Sequence, residues 1–229
     1  MRKEERGEQV SERYNVEWKP YKSDLPRIKV IVDLVGTQKK ILDIGCYDGT
    51  IGSALVQNGN TVSGVDFSKE AVNLARQKGI DAYEADIEED VLPFNEHFFD
   101  VIVFAEIIEH IFDTDAFLEK IKKYLTKDGQ IVLTTPNLAT LGRRIMLLFG
   151  MNPLIEVTCH NGAAGHIRYF VKESLLGLLK AHGFKVEVFT SDVINFTNSG
   201  KVFLRWPVRM FPTLGKSLIV RARLVNEKV

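Results

Sequence analysis

The feature that most constrains the fold is a regular alternation of short apolar segments with helical patterns between residues 40 and 136. The apolar segments have the length of β-strands, and they occupy 40–45, 61–66, 81–86, 99–104 and 130–135. Helical patterns fill the sequence between several of them, at 50–58, 68–78 and 114–125. Strands that alternate with helices at this spacing form parallel βαβ units. The sequence therefore predicts an α/β fold, with a doubly wound, mostly parallel sheet and helices on both faces.

The residues before this alternation form a separate part of the chain. Residues 1–24 are polar with interspersed aromatic side chains, and apolar positions recur at helical spacing from Asp24 to Val35. We interpret 1–39 as an N-terminal helical arm with a lead-in helix, and 40–229 as the main domain.

The last third of the chain is less regular. We expect a helix at 173–182 and strands at 184–189 and 217–225. Two stretches, 138–165 and 193–216, are longer than ordinary connections, which is typical of functional lids. Because both follow strands that are expected to run parallel, both should lie over the carboxyl edge of the sheet, where open α/β sheets bind ligands.

The charge of the chain is balanced overall but unevenly distributed. The 229 residues include 30 basic and 30 acidic side chains, so the global basic excess typical of nucleic-acid binding is absent. Residues 41–137 carry 18 acidic and 7 basic side chains, whereas residues 138–229 carry 5 acidic and 13 basic. This asymmetry indicates a charged partner, with the basic part suited to an anionic one.

Cys46 and Cys159 are the two cysteines, and neither belongs to a Cys/His pair with zinc spacing. The sequence therefore predicts no metal site, and it favours a reduced, cytoplasmic location. We interpret Cys46 as a small packing residue rather than a nucleophile. The charged N-terminus is unlike a secretory signal, and no segment approaches the roughly 18 apolar residues of a membrane-spanning helix.

The first strand continues directly into a glycine-containing turn, Ile41-Leu-Asp-Ile-Gly-Cys-Tyr-Asp-Gly49. Such a turn brings the backbone close to a ligand at the amino end of the following helix. A dinucleotide fingerprint would need glycine where this chain has Tyr47 and Thr50. Asp43 and Asp48 would repel a pyrophosphate. We therefore expect a nucleoside ligand without phosphates, compatible with a cationic part.

Acidic residues close the next two strands. Asp66 ends the second strand, where a carboxylate can accept hydrogen bonds from two ribose hydroxyls. Asp86 ends the third strand and is followed by Ile87, a pair suited to the amino group and the face of adenine. The fourth strand leads into Ala105-Glu-Ile-Ile-Glu-His110.

In this order and spacing, these elements resemble the class I S-adenosylmethionine-dependent methyltransferases, most closely between 40 and 137. Glu109-His110, Thr135-Pro-Asn137 and Gly165-His-Ile-Arg-Tyr-Phe170 resemble the small-molecule branch of that family. This branch includes quinone-biosynthesis O-methyltransferases and enzymes of cell-envelope pathways. The resemblance implies a seven-stranded sheet whose last strand is antiparallel, with S-adenosylmethionine as the cofactor.

The resemblance also implies which residues hold the cofactor. Gly45 and Gly49 would pass close to its methionine part and ribose, Asp43 would order the turn near its amino group, and Asp66 would hold the ribose. The expected cofactor-binding residues are Asp43, Gly45, Cys46, Gly49, Asp66, Phe67, Asp86, Ile87 and Ala105. The chain departs from the family at Tyr47, where glycine is usual and a side chain would narrow the approach to the cofactor.

Two histidines are the candidate catalytic residues. The resemblance puts His110 near the transferred methyl group, where an imidazole can take a hydroxyl proton, and His166 is a second candidate for the same role. The alternative for His110 is that Glu109-His110 caps and orders the following segment. Arg168 is expected to bind an anionic group of the substrate, with a salt bridge that locks a lid as the alternative.

Further substrate contacts are assigned to Arg143 and Tyr14. Tyr14 and Trp18 would share a helix face that either packs on the domain or covers the cofactor. Residues 201–212 interleave basic and large apolar side chains, which favours either a lid or contact with a membrane surface.

Together these patterns predict an S-adenosylmethionine-dependent O-methyltransferase. Its acceptor would be a small or amphiphilic anionic molecule, such as a sugar- or lipid-linked intermediate, and not a nucleic acid. A quinone-type phenol and an N-methyl acceptor are alternatives. A non-catalytic S-adenosylmethionine-binding regulatory protein is an alternative of another class, whereas Tyr47 and Thr50 disfavour an NAD-dependent oxidoreductase.

Overall fold

The structure is a computed structural model, and it describes residues 26–157, 165–195, 203–204 and 207–225. In these ranges the strands are β1 (Lys40–Ile44), β2 (Thr61–Asp66), β3 (Asp81–Glu84), β4 (Phe99–Ala105), β5 (Leu125–Pro136), β6 (Phe184–Thr190), β7 (Ile194–Asn195), β8 (Phe203–Leu204) and β9 (Ser217–Leu224). The helices are α1 (Pro26–Val35), α2 (Thr50–Gln57), α3 (Lys69–Gln77), α4 (Thr114–Lys122), α5 (Leu141–Leu148) and α6 (Lys172–Ala181). Short 3-10 helices lie at Ile108–His110, Pro207–Arg209 and Pro212–Leu214.

Seven of the strands form one twisted sheet in the order β3-β2-β1-β4-β5-β9-β6. The strands from β3 to β5 pair in parallel, whereas β9 runs antiparallel to both of its neighbours. This arrangement confirms the predicted doubly wound, mostly parallel sheet with an antiparallel last strand. The strand order reverses between β1 and β4, and in open α/β sheets ligands bind at this point, beyond the carboxyl ends of the strands.

Both faces of the sheet are covered by helices, as the sequence predicted. In β4, Ile102 and Phe104 pack in one apolar layer with side chains of α4 and α6. Val101 and Val103 pack in the opposite layer with side chains of α1, α2 and α3. Strands that are buried on both faces read as continuous apolar runs, which is why β4 shows no polar alternation.

Both irregular stretches contain short ordered elements at the carboxyl edge of the sheet. The first stretch, 138–165, includes α5, and the second, 193–216, includes β7, β8 and two of the 3-10 helices. The buried Asn137 joins them, because its amide Nδ2 donates to the carbonyl oxygens of Thr213 at 2.9 Å and Gly215 at 2.8 Å.

Several predictions concern residues outside the described ranges. These are the arm of residues 1–24 with Tyr14 and Trp18, part of the first irregular stretch (158–164), and positions 201, 202, 205 and 206 of the basic segment. Within the described part of the chain, no helix has both the length and the apolar character needed to cross a membrane.

Candidate functional site

The turn after β1 depends on backbone conformations that suit glycine. Gly45 and Gly49 have φ angles of 70° and 74°, and a Cβ atom on Gly45 would collide with the side chain of Ile107. A Cβ atom on Gly49 would lie 2.8 Å from the backbone Cα of Ala75, which cannot move aside easily. Tyr47 also has a positive φ of 47°, in a region that residues other than glycine seldom adopt. The turn is therefore tightly packed where β1 meets α2.

Asp66 fastens this turn to the end of β2. Its Oδ2 accepts the amide N–H of Tyr47 at 3.0 Å, and its Oδ1 accepts that of Ser68 at 2.9 Å. Burial raises the pKa of this carboxyl, although both backbone hydrogen bonds oppose the shift. The predicted ribose-binding residue therefore also organises the backbone, and each carboxylate oxygen retains acceptor capacity for a ligand.

Asp43 provides a buried acidic group beside Asp66. Its side chain is almost completely buried, and among the described residues its Oδ2 has no hydrogen-bond partner. Burial, and secondly the charge of Asp66, raises the pKa of Asp43 to about 7, while the backbone amide of Gly52 opposes the shift. A buried carboxylate oxygen without a partner is costly unless something cationic or hydrogen-bonding reaches it. A buried acidic acceptor of this kind fits the cationic amino group of an amino-acid ligand.

The remaining predicted cofactor residues lie at the same edge of the sheet. Asp86 follows β3, and its Oδ1 accepts the amide N–H of Glu88 at 2.9 Å. Ile87 packs partly buried against the core, Phe67 is 38% exposed, and Ala105 ends β4. The sheet therefore brings these groups to one edge, and their binding roles stay predictions.

Two residues of the turn have internal roles. Cys46 is buried, and a Cβ atom on Gly64 would lie 2.8 Å from its Sγ, so the thiol fills space between β1 and β2. Burial raises the pKa of this thiol far above its usual range, which makes Cys46 a poor nucleophile. Asp48 forms an ion pair with Lys78 at 2.8 Å, so the expected repulsion of a pyrophosphate depends on Asp43 and Asp66 instead.

A second group of polar side chains lies beyond β4, at the 3-10 helix Ile108–His110. Glu109 is 1% exposed, and its Oε2 accepts the hydroxyl of Thr135 at 2.9 Å. Its Oε1 is buried without a hydrogen bond in the described structure and lies 3.9 Å from Nε2 of His166. Burial, and secondly the charge of Glu106, raises the pKa of Glu109 to about 8.

The two predicted catalytic histidines lie side by side. Their ring centroids are 5.0 Å apart, and Nδ1 of His110 is 3.2 Å from the carbonyl oxygen of Gly165. Burial lowers the pKa of both imidazoles. They are therefore mainly neutral at pH 7 and can accept a proton.

Backbone contacts bring His166 to this position. The amides of Ile167 and Arg168 donate to the carbonyl oxygen of Glu109 at 3.0 and 3.1 Å. A carboxylate oxygen of Glu156 accepts the amides of Gly165 and His166 at 2.9 and 3.1 Å. The bonds to Glu109 tie the end of the first irregular stretch to the segment after β4, whereas those to Glu156 order the stretch itself.

The two predicted substrate arginines differ in their surroundings. The guanidinium of Arg168 donates to the carbonyl oxygens of Ile111, at 3.0 Å, and Phe112. It therefore helps to lock the segment, through carbonyl oxygens rather than the salt bridge considered from the sequence, and its substrate role stays a prediction. Arg143 donates to the carbonyl oxygen of Asn137 at 3.2 Å, and its charge contributes to the lowered pKa of His166.

Sequence reasoning missed one ion pair at the site. Arg27 of α1 lies 3.0 Å from Glu106 Oε2, and the hydroxyl of Thr134 donates to Glu106 Oε1 at 2.9 Å. Glu106 has a positive φ of 59° directly after β4. The motif between Ala105 and His110 could have signalled Glu106, but no local pattern identifies its partner 79 residues earlier in the sequence.

The arrangement also includes groups that could hold a metal ion, which the sequence did not predict. Glu109, His110 and His166 each offer one ligand atom, and these atoms all lie within 4.8 Å of one another. The two histidines are far apart in sequence, so the spacing rules for metal motifs could not reveal them.

Comparison with known proteins provides independent information about the family. A family model for a methyltransferase domain matches residues 21–188. The chain is 30% identical to a ubiquinone biosynthesis O-methyltransferase of Haemophilus ducreyi over 128 residues, which cover 52% of this chain and 54% of that protein. It is 26% identical to the human mitochondrial ubiquinone biosynthesis O-methyltransferase over 164 residues, covering 68% of this chain and 44% of the relative. The chain thus spans about half the length of the curated relatives that it matches.

Solved structures show the same fold. The chain is similar to 1,6-didemethyltoxoflavin-N1-methyltransferase of Burkholderia thailandensis, whose structure holds S-adenosylhomocysteine, with a TM-score of 0.64 and 18% identity. The likeness covers 96% of this chain and 87% of the other. At this identity it supports the fold and not the substrate.

Proposed function

The chain belongs to the methyltransferase-domain family and has the fold of the class I S-adenosylmethionine-dependent methyltransferases, and we propose that it methylates an oxygen atom of a small or amphiphilic anionic acceptor. The observation that carries this proposal is the location of two polar groups at one edge of the sheet. Asp43 and Asp66 provide buried carboxylates at the carboxyl ends of β1 and β2, and the paired His110 and His166 lie beyond β4. The first group suits the cofactor and the second suits a hydroxyl acceptor.

Each cofactor residue has a distinct proposed role. The unpartnered Oδ2 of Asp43 suits the amino group of the methionine part, and Asp66 can accept the ribose hydroxyls while holding the turn. Asp86 and Ile87 would contact adenine. Gly45 and Gly49 hold the turn in its left-handed conformation against Ile107 and Ala75, and the backbone of the turn would pass close to the methionine part and the ribose. Phe67 and Ala105 would border the cofactor from neighbouring strand ends.

S-adenosylmethionine supplies a methyl group whose bond to sulfur breaks as the acceptor oxygen bonds to it. Because the sulfonium is already activated, the protein has to align the acceptor and accept its proton. Alignment of this kind can contribute about 7–11 kcal/mol in favourable cases. We assign the proton to the His110–His166 pair, whose neutral imidazoles lie together at the edge of the sheet.

The anionic character of the acceptor is inferred from the basic side chains on its side of the site. Arg143 lies near His166 and Tyr169, and residues 138–229 carry 13 basic but only 5 acidic side chains. A guanidinium can bind a carboxylate or phosphate through two parallel hydrogen bonds. An acidic group on the acceptor would therefore be attracted to this side.

The first test separates the main proposal from its alternatives. Calorimetry should detect binding of S-adenosylmethionine and no binding of NAD, and incubation with methyl-labelled cofactor and fractionated cell extract should yield a labelled product identifiable by mass spectrometry. Binding of the cofactor without turnover of any fraction would favour a non-catalytic regulatory protein. Absence of S-adenosylmethionine binding would contradict the proposal altogether.

The second test addresses the proton acceptor. With a hydroxyl acceptor, His110→Ala and His166→Ala should each lower kcat, and the double variant should lower it by more than about 100-fold, as expected for loss of a general base. The control is His97→Ala. His97 lies just before β4, at the amino ends of the strands and far from the site. Full turnover in the double variant would show that the base assignment is wrong.

A quinone-type phenol is the second candidate acceptor, because the curated relatives are named ubiquinone biosynthesis O-methyltransferases. A panel containing catechols, phosphorylated sugars and amines distinguishes the possibilities. Turnover of the catechol alone would favour the phenol, whereas methylation of nitrogen would contradict an O-methyltransferase.

We further propose that α5 allows contact with an anionic membrane surface, which would suit a lipid-linked acceptor. The helix has no buried residue, and Leu147, Leu148 and Phe149 are 55%, 80% and 73% exposed. Residues 138–155 include no acidic side chain, so nothing there repels anionic headgroups. The protein should sediment together with vesicles of anionic lipid, whereas the Leu148→Glu variant should stay in the supernatant. Equal sedimentation with vesicles of neutral lipid would contradict this role. The cytoplasmic location predicted from the sequence stays a prediction.

A further inference from the structure

We propose that Lys120 is a positioning residue for the adenine of the cofactor, because it holds the acidic segment 86–90 from the neighbouring helix α4. Its Nζ donates a hydrogen bond to the carbonyl oxygen of Ile87 at 2.6 Å. The inference rests on the proposed function, in which Asp86 and Ile87 contact adenine. Lys120 itself does not have to touch the cofactor, because it acts through the backbone of these two residues.

The acidic segment 86–90 needs support from elsewhere in the molecule, because it belongs to the irregular connection between β3 and β4. Its own hydrogen bonds close a single turn. The amide of Asp86 donates to Asp90 Oδ2 at 3.0 Å, and the amide of Asp90 donates to the carbonyl oxygen of Asp86 at 2.8 Å. The side chain of Ile87 packs against the core, and its carbonyl oxygen is the point that Lys120 holds.

Helix α4 is a rigid support for this lysine. Phe117 and Ile121 are buried, and the ring of Phe117 packs edge-on against Phe104 of β4 at a centroid distance of 5.3 Å. Lys120 is half-buried beside them, so its side chain has less freedom than that of a lysine in solvent. A closely packed interior holds its elements in one arrangement, and the bond to Ile87 extends that order to the acidic segment.

The charge of the acidic segment also favours a cation at this place. Four of its five residues carry a carboxylate, namely Asp86, Glu88, Glu89 and Asp90. All four interact electrostatically with Lys120. Burial lowers the pKa of Lys120, whereas these carboxylates favour its charged form. Because neighbouring like charges repel one another, a cation among them stabilises the compact turn.

A second contact joins the acidic segment to the start of the same helix. Oε1 of Glu88 accepts the amides of Phe112 at 2.8 Å and Asp113 at 3.0 Å. Asp113 is the N-cap of α4. The segment is therefore fastened to both ends of α4, and Lys120 provides the contact that reaches an adenine-binding residue directly, since it binds Ile87.

This arrangement predicts which step depends on Lys120. Adenine and ribose are parts of one molecule, so the acidic segment has to stay in register with Asp66, which is expected to hold the ribose. Without the lysine, Asp86 and Ile87 would be free to shift, and part of the binding free energy would be used to order them again. The loss should fall on affinity for the adenosine part, and methyl transfer from bound cofactor should be unaffected.

Lys122 offers a matched control on the same helix. Its Nζ donates to Glu119 Oε1 at 2.6 Å and to the carbonyl oxygen of His182 at 3.3 Å. Both lysines are thus charged donors to a backbone carbonyl, but Lys122 joins α4 to the end of α6 rather than to the acidic segment. Lys120→Met and Lys122→Met remove the same charge from the same helix.

The test is calorimetry of the full-length protein with S-adenosylmethionine, S-adenosylhomocysteine and methylthioadenosine, which lacks the amino-acid part. Lys120→Met should weaken binding of all three by about 10-fold, the scale expected when a hydrogen bond to a charged group is lost. Lys120→Arg, which can still donate to the carbonyl oxygen of Ile87, should restore most of the affinity. Lys122→Met should bind like the unchanged chain, and circular dichroism should confirm that all variants are folded.

The charges of the ligands distinguish positioning from a purely electrostatic effect. S-adenosylmethionine contains a sulfonium and therefore has one more positive charge than S-adenosylhomocysteine. If Lys120 acted through its charge alone, Lys120→Met would tighten binding of the cationic ligand and leave the other unchanged. The proposal instead predicts equal weakening of both, and the electrostatic pattern would overturn it. In turnover with an acceptor, the KM for S-adenosylmethionine should rise while kcat stays the same.

Unchanged affinity in Lys120→Met, or an equal loss in Lys122→Met, would also overturn the proposal. Hydrogen exchange measures the segment without any ligand, and Lys120→Met should speed exchange of the amides in residues 86–90. If the unchanged chain bound no S-adenosylmethionine, the proposed function would fail, and hydrogen exchange would still decide whether Lys120 holds the segment. If the unchanged chain and Lys120→Met bound the cofactor equally well, the positioning role alone would be rejected.

Discussion

The two sides of the site are built in different ways. The cofactor side, defined as the ends of β1, β2 and β3 with the turn 45–49, is organised by bonds between elements close in sequence, such as Asp66 with the amides of Tyr47 and Ser68. The acceptor side, defined as residues 106–112, 137–157 and 165–170, is held together by hydrogen bonds across long sequence separations. An example is the carbonyl oxygen of Glu109 with the amides of Ile167 and Arg168.

This difference in construction affects which substitutions each side of the site can tolerate. The cofactor side is packed so closely that added atoms meet backbone, whereas α5 on the acceptor side has no buried residue. Tightly packed interiors respond to changes of a single methyl group, while exposed positions tolerate most substitutions. We therefore expect the cofactor side to accept little variation and the acceptor side to vary with its substrate.

The largest expected effect compares one glycine from each side. Gly49→Ala should lower the free energy of unfolding by about 3–5 kcal/mol, because its Cβ would add a backbone clash to the cost of a left-handed φ. Gly150→Ala, with a φ of 67° and no atom within 4 Å of its Cβ, should cost only about 1–2 kcal/mol. Urea denaturation measures both, and equal losses would contradict the comparison.

The next prediction compares Asp66, which holds the turn and is expected to bind the cofactor, with Arg168, whose hydrogen bonds lie on the acceptor side. Asp66→Ala should lower the free energy of unfolding by about 2–4 kcal/mol, because two backbone amides lose their acceptor, and should also abolish binding of S-adenosylmethionine. Arg168→Ala removes bonds to two carbonyl oxygens on the acceptor side and should leave cofactor affinity unchanged. Calorimetry provides the measurement, and a similar loss of affinity in both variants would mean that the two sides are coupled.

A third prediction concerns pH. Since the pKa of Asp43 is raised from 3.8 to about 7, the folded state holds this proton more tightly than the unfolded state. The stabilisation from this group is complete below about pH 4 and is lost as the pH rises through about 7. Relative to the unchanged chain, Asp43→Asn should remove a slope of up to about 1.4 kcal/mol per pH unit in this window.

Stability curves between pH 4 and pH 8 check this prediction in the absence of cofactor. Asp81→Asn removes the same charge from an exposed position at the amino end of β3 and serves as the control. An unchanged slope in Asp43→Asn would show that the buried carboxylate does not titrate as described.

The smallest expected effect lies on α5. Leu148 is 80% exposed, so Leu148→Ser should change the free energy of unfolding by no more than about 0.5 kcal/mol. Leu55 is completely buried in α2, the helix that follows the turn of the cofactor side, and Leu55→Ala should lower the free energy of unfolding by about 2–5 kcal/mol. A large loss from Leu148→Ser in a thermal or urea denaturation experiment would show that α5 is packed against part of the chain.

The sequence by itself determined the topology and the location of the cofactor side. Strand and helix periodicities are local properties, and parallel βαβ units have one usual handedness, so the alternation from residue 40 to 136 was sufficient to predict a doubly wound sheet. Residues that directly follow parallel strands must meet at one edge. Asp43 and Asp66 lie at the carboxyl ends of their strands, and Gly45 and Asp86 follow theirs, so the sequence alone places these four residues at the same edge.

Only the tertiary structure decided how the acceptor side is assembled. His166 lies beside Glu109 because the next two residues, Ile167 and Arg168, donate backbone hydrogen bonds to the carbonyl oxygen of Glu109. Arg27 reaches Glu106 from a helix before the sheet, and Asn137 joins two distant segments. Such contacts depend on the path of irregular chain, which has no periodicity to reveal it. The same reason applies to Glu109: the sequence could show that it follows β4, but its burial and its unpartnered oxygen follow from packing against distant residues.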